Sequence, residues 1–255
     1  MPTAPAPARR RARPDANPLW ARHLWRRVIR LWPLKMLGTM AGIGGFFALY
    51  FWTLEHTAAR AVVVPTLFAD AWFGLQPWSV VPYGSLWLYV SLAPAFAANL
   101  AALRAYVRGA ALIVALAMAC YWLFPTVTPD FGVDWSQHPG LQFLKAADAG
   151  GNAFPSLHVA FAFYTALVIG SQLRSLGAPL GARAFNWLWC LAILHSTLAT
   201  HQHVLLDVLG GLATTWLAVA LAWRRRARVA QVAQVAPVAL AAEFTPRPIR
   251  RISRR

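Results

Sequence analysis

Acid is what this sequence has least of. Only eight of its 255 residues are Asp or Glu, against 24 Lys and Arg, and charged residues of both signs amount to 13%. A soluble domain usually devotes about a quarter of its residues to charge, so this chain cannot dress a large surface for water. Cysteine is nearly absent as well. Cys120 and Cys190 both lie in apolar runs, where the thiol behaves as a small hydrophobe; no disulfide framework follows, and the redox compartment is not readable. The basic excess, +16 in formal charge, sits mainly in the two ends of the chain. A nucleic-acid partner would need a folded basic face, which this pattern does not offer.

What the chain has in quantity is apolar length, with 58% hydrophobic residues and 13 tryptophans. Six stretches approach the roughly 20 residues that cross a hydrocarbon core about 30 Å thick. They run near Met36–Leu54, Ser85–Leu103, Gly109–Thr128, Pro155–Leu173, Ala184–Thr200 and Val204–Trp223. Ala61–Val81 is a seventh candidate, but Pro65, Asp70 and Pro77 interrupt it, and Trp72 and Trp78 suit an interfacial position, so it is read as lying on the membrane. The expectation is an all-α, polytopic membrane bundle of six transmembrane helices spanning residues 34–223. Residues 1–33 are read as a basic tail with a juxtamembrane segment and residues 224–255 as a second basic tail; through Pro18 and after Arg228 the composition is that of disordered chain. The first apolar run begins near Met36 and is long enough to span, so no cleavable secretory signal is expected.

Lys and Arg then set the orientation. With six spans, both tails fall on one side, which carries 22 of the 24 basic residues; Arg60 and Lys145 are on the other. By the positive-inside rule both tails are expected in the cytoplasm. Counting Ala61–Val81 as a span would instead put Arg104, Arg108, Arg174, Arg183 and the second tail outside.

Two polar stretches fall at span mouths on the non-cytoplasmic side: Pro155-Ser156-Leu157-His158 opens the fourth span, and Ser196 to Asp207 make the turn between the fifth and sixth. Ionisable groups at the mouth of an apolar bundle are expensive to keep, which marks a site. His203 and Asp207 are i and i+4, so the carboxylate can accept from one ring nitrogen and leave the other free as a nucleophile. Ser156 is placed to cap the fourth helix, whose first amides attract phosphate, and His158 beside them is placed as a general acid. Gly210-Gly211 permits close helix packing.

These residues resemble the type 2 phosphatidic-acid phosphatase superfamily over roughly residues 35–223. That superfamily carries Pro-Ser-Gly-His, here Pro155-Ser156-Leu157-His158, and Ser-Arg, five residues, His, three residues, Asp, here Ser196-Thr197 through His203 to Asp207. Leu157 in place of glycine and Thr197 in place of arginine look like the inositol-phosphorylceramide synthase branch, whose members move phospho-headgroups between lipids. A third motif, Lys, six residues, Arg-Pro, has no outer counterpart, and Phe124–Pro129 in its expected place holds no cation.

The resemblance implies a membrane lipid phosphatase that works through a phosphohistidine at the non-cytoplasmic face, on a lipid phosphate or phospholipid, with no cofactor and no metal required. His203 would attack, Asp207 would orient it and His158 would protonate the leaving group. Ser156, Ser196, Thr197 and Lys145 would bind the substrate. Headgroup transfer between lipids is the alternative activity. A proton-coupled transporter is a third reading, disfavoured because the polar groups cluster at one face. His56, His138 and His195 read as polar boundary residues. His201 forms a His-x-His pair with His203 that suits zinc, but no neighbouring Cys or Glu completes a ligand set.

Overall fold

The computed structural model describes residues 18–148 and 151–222, so the stretches read as disordered, Pro18 excepted, lie outside the described residues. In chain order the elements are α1 (Trp20–Ile29), α2 (Trp32–Thr57), β1 (Val62–Val63), α3 (Val80–Gly84), α4 (Leu86–Ala95), α5 (Leu100–Leu123), β2 (Thr126–Val127), α6 (Pro139–Asp148), α7 (Leu157–Ser175) and α8 (Leu180–Ala199). A last helix, α9, covers Leu205–Ala222. The only strands among the described residues are β1 and β2, two residues each and paired in parallel with Val62 opposite Thr126.

Each break in the helices has a local cause. Leu31, in the left-handed region at φ 59°, separates α1 from α2, and Pro33 follows in the first turn of α2, where its missing N–H leaves nothing unpaired. Asn99 caps α5, its side chain accepting the Ala102 amide at 2.9 Å. That cap corrects the second expected span. Ser85–Leu103 is not one helix: helix runs through α3 and α4 as far as Ala95, just past Pro94, and Leu100–Leu103 already belong to α5. The α7–α8 turn is a Schellman stop, with Gly177 at φ 67° and Ala178 N–H donating to the Leu173 carbonyl at 3.0 Å.

Helix α7 is the hub and packs against α4, α5 and α8. Its Ala160, Phe161 and Ile169 join Leu86, Ile113, Tyr121 and Ile193 in the main core cluster. Because protein rather than lipid surrounds α7, it tolerates Thr165, Gln172 and its terminal His158. Three helical stretches among the described residues are long and apolar enough to cross a membrane: Trp32–Arg60, Leu100–Leu123 and Leu205–Ala222. Leu37 and Met40 on α2, Leu188 and Leu191 on α8, and Leu209 and Trp216 on α9 stand exposed, a larger apolar surface than a protein surrounded by water displays.

The end of the bundle away from the polar stretches is pinned by a lysine. Lys35, 4% exposed, donates to the carbonyls of Arg27 at 2.6 Å, Ala95 at 2.9 Å and Ala97 at 2.9 Å. Its three protons thus meet three carbonyls, and α1, α2 and the α4–α5 turn are tied together. The amphipathic α1, which the sequence shows only as a juxtamembrane segment, packs Trp20 and Leu24 against the main core.

Candidate active site

At the opposite end, the loops after α2, α5 and α8 and the segment before α7 are stitched to one another. The β1–β2 pair joins the first two. Thr126 Oγ1 accepts the Phe154 amide at 2.9 Å, and Thr128 Oγ1 donates to the Gln202 carbonyl at 2.8 Å. The segment Phe124–Pro129, which holds no cation, therefore serves as the strap that aligns the chain entering both polar stretches.

Helices α7 and α9 then meet at their first turns. Ser156 N–H donates to the Asp207 carbonyl at 3.1 Å, and Thr215 Oγ1 donates to the Ala160 carbonyl at 2.9 Å. The glycine pair makes this approach possible. A Cβ on Gly211 would stand 2.5 Å from the Ser156 oxygen, and one on Gly210 would run into the Phe154 ring. Ser156 caps α7 as expected, its Oγ accepting the Val159 amide at 3.3 Å.

The result brings His158, His203 and Asp207 together. His203 Nδ1–H donates to Asp207 Oδ2 at 3.2 Å, and the same oxygen accepts the Val204 amide at 3.0 Å. Asp207 is fully buried and His203 only 7% exposed, so the bond is shielded from competing water and fixes the ring with Nε2 free. The His158 and His203 rings have centroids 6.5 Å apart. His158 stacks on Tyr83 with centroids 4.1 Å apart, while its Nδ1 lies 3.5 Å from the Tyr83 hydroxyl. Its Nε2 is buried and has no hydrogen-bond partner. An unpaired buried ring nitrogen is costly and calls for a functional account.

Both histidines line one cavity of about 250 Å³ between α2, α4 and α7, with α6 on its rim. Most of the wall is aromatic, including Phe46, Tyr50, Trp87, Tyr121 and Phe161. Ser196, Thr197 and Lys145, also expected at the site, are not among the residues that line the cavity. The Ser196 hydroxyl donates to the Ile193 carbonyl at 2.7 Å and the Thr197 hydroxyl to Leu194 at 2.8 Å. The Thr197 carbonyl instead accepts the Gln202 and His203 amides at 3.2 and 3.1 Å, which folds the turn back on α8. Lys145 Nζ donates to the His201 carbonyl at 2.7 Å and lies over the Trp135 ring.

His201 itself sits at φ 54°, stacked on Phe131, with Nε2–H donating to the Phe73 carbonyl at 3.3 Å. Burial holds its imidazole below the ordinary value; the Phe73 bond opposes this in part, and the Lys145 ammonium adds to it. Among the described residues no group of three His, Cys, Asp or Glu converges as a metal set would. His56 bonds to the Trp52 carbonyl at 2.8 Å and His195 contacts the Gln76 amide oxygen at 3.3 Å, both as local polar partners.

One residue escaped the sequence reading. Asp70, taken only as an interruption of an apolar stretch, accepts the Leu67 amide through one oxygen and the Leu205 amide through the other, each at 2.6 Å. It ties the segment before α3 to the first turn of α9, and with His201 and His203 it borders a water-sized void. A carboxylate followed by a long apolar helix more than a hundred residues later leaves no local signature, so spacing alone could not reveal it.

Two histidines with ring centroids 6.5 Å apart, one of them bonded to a buried carboxylate, thus face one cavity in a helical bundle. The model of the PAP2 superfamily matches residues 59–221, well over half of the chain, and the chain belongs to that superfamily. Its members are phosphatases and phosphotransferases. No curated protein and no solved structure matches the chain.

Proposed function

We propose that this protein transfers a phosphoryl group from a membrane lipid by way of a covalent phosphohistidine at His203. The supporting observation is the pairing across one cavity of His203, held by buried Asp207, with His158, whose Nε2 is unpartnered. His203 Nε2 attacks phosphorus; the P–N bond forms as the ester P–O bond breaks, and the departing oxygen takes its proton from His158. Water or an alcohol then attacks the phosphohistidine and gives its proton back to His158. Asp207 stabilises the positive charge that develops on His203. The first amides of α7, at the positive end of the helix dipole, receive phosphate oxygens, with Lys145 adding charge at the rim.

With water as acceptor the protein is a lipid phosphatase. With an alcohol it is a headgroup transferase, and one observation favours that second reading: among the described residues no Lys or Arg lines the cavity. A phosphomonoester dianion profits more from fixed cations than a phosphodiester monoanion does. The helices α2, α3–α4, α5, α7, α8 and α9 supply six crossings. Arg22, Arg26, Arg27, Arg30, Lys35, Arg174 and Arg183 lie at or near the end away from the site, which by the positive-inside rule supports cytoplasmic tails and a site on the other face.

Purified protein in detergent, given lipid phosphate or phosphodiester lipid with and without an excess of alcohol, tests the reading when free phosphate and new lipids are scored together. Turnover in the wild type should fall by about a hundredfold or more in His158→Ala, His203→Ala and Asp207→Asn. Near-normal turnover in His203→Ala would rule the mechanism out.

A further inference from the structure

The wall of the cavity is unusual in what it combines. Among the described residues fourteen line it; nine of these are Phe, Tyr or Trp, two are aliphatic, and none is Asp, Glu, Lys or Arg. Its rings pack in mixed orientations: Phe47 on Phe51 at 14° and Tyr83 on His158 at 19° are stacked, while other pairs stand nearly perpendicular. Tyr50 and Tyr121 stand at 82°, Phe46 and Phe161 at 79°, and Trp87 and His158 at 77°. Two of the three tyrosine hydroxyls bond to backbone, Tyr121 to the Pro155 carbonyl at 2.8 Å and Tyr50 to the Gly151 carbonyl at 3.3 Å, while that of Tyr83 lies 3.5 Å from His158 Nδ1. Aromatic rings therefore dominate the lining.

We propose that this aromatic box receives the quaternary-ammonium headgroup of a zwitterionic phosphodiester lipid, holding its phosphorus between His158 and His203. The proposal deepens the headgroup branch of the phosphoryl-transfer reading and rests on it. Two features favour a headgroup over a lipid chain. The cavity, about 250 Å³, is below the roughly 300–1,000 Å³ that holds a whole drug-sized ligand, and suits one end of a lipid. Chain burial would also be served by Leu, Ile or Val, while the electron-rich ring faces attract a cation specifically, the more so when water is excluded. The charge count points the same way. A substrate phosphate at His203 meets no fixed cation in this wall, and a quaternary ammonium on the same molecule supplies one without the desolvation cost of a lysine.

The test is a binding measurement on the full chain in maltoside micelles, read by tryptophan fluorescence and confirmed by thermal shift. The probes are three dioctanoyl phospholipids that share their chains: a phosphocholine, its uncharged isostere with a 3,3-dimethylbutyl group in place of choline, and a phosphoglycerol. The choline lipid should bind about tenfold more tightly than its isostere, within the range of a desolvated cation–π contact. Tyr50→Leu and Phe46→Leu should each erase most of that preference while leaving the isostere's affinity within about twofold, which also shows that the variant has folded. Equal affinity for the three probes in the wild type would overturn the proposal and make the cavity a chain site. Because nothing here depends on turnover, the two readings separate. A choline preference in a protein inactive on every lipid would sink only the phosphoryl-transfer reading, and turnover without headgroup preference would sink only the box.

Discussion

Gly211 of α9 lies against the backbone of Ser156 at the start of α7, so close that a Cβ on the glycine would stand 2.5 Å from the serine carbonyl oxygen. On the same surface the Ser156 amide donates to the Asp207 carbonyl. The spacing between the helix that carries His158 and the one that carries Asp207 is set by these backbone contacts, not by the side chains of those two residues.

Replacing that glycine should therefore disturb the site without touching a reacting group. Gly211→Ala forces α7 and α9 apart and should cost about 1–3 kcal/mol of stability, seen as a lower melting temperature in detergent, together with most of the turnover. Gly181→Ala, where a Cβ meets nothing within 4 Å, should keep both. Equal behaviour of the two variants would show that helix spacing does not govern the site.

Asp70 offers a second way to move the site from a distance. Asp70→Ala removes the acceptor for both the Leu67 and Leu205 amides, and the loss of a helix cap typically costs about 1–2 kcal/mol. Turnover per folded molecule should fall roughly tenfold, because the first turn of α9 loses its anchor. Asp70→Asn keeps one acceptor oxygen and should fall between the wild type and Asp70→Ala. Measuring kcat beside the melting temperature for the three proteins checks the ordering.

These residues also show where the sequence was legible. That His158, His203 and Asp207 come together could be read because the His203–Asp207 pair is local, one helical turn apart, and because the six-span expectation put the two stretches on one face. The Ser156 cap and the packing role of Gly210-Gly211 were legible for the same reason: both act on neighbours in the chain or on a helix face. The break at Phe96–Asn99 was hidden inside a continuous apolar run, since hydropathy does not distinguish one helix from the end of one and the start of the next. The aromatic box was not legible at all. Its walls come from α2, α3, α4, α5, α6 and α7, and in each helix the contributing rings look like ordinary lipid-facing or core residues. Ser196 and Thr197 were taken for phosphate contacts from the motif, whereas their hydroxyls are occupied by carbonyls one turn back.

The lowered pKa of His201 carries a pH signature. Its ordinary value is 6.5 and burial holds the folded value below that. As pH falls through 6.5, the unfolded chain takes up the proton first, so stability is complete above that value and is lost as pH drops toward the folded pKa. His201→Asn, which tolerates the left-handed backbone at this position, removes the titrating group. The decline in melting temperature between about pH 7.5 and 5.5 should be shallower in the variant than in the wild type. An identical slope would show that His201 is not held neutral by its surroundings.

The central claim is that His203 becomes covalently phosphorylated, and the direct measurement is to trap that species. The protein is mixed with a lipid substrate labelled at phosphorus, quenched in alkaline detergent within a turnover, and mapped by peptide. The account predicts label on the wild-type chain at His203, stable to base and released by mild acid as a phosphoramidate is, and none on His203→Ala. Label that persists in His203→Ala, or a wild type that turns over while carrying no acid-labile label at any quench time, would contradict it.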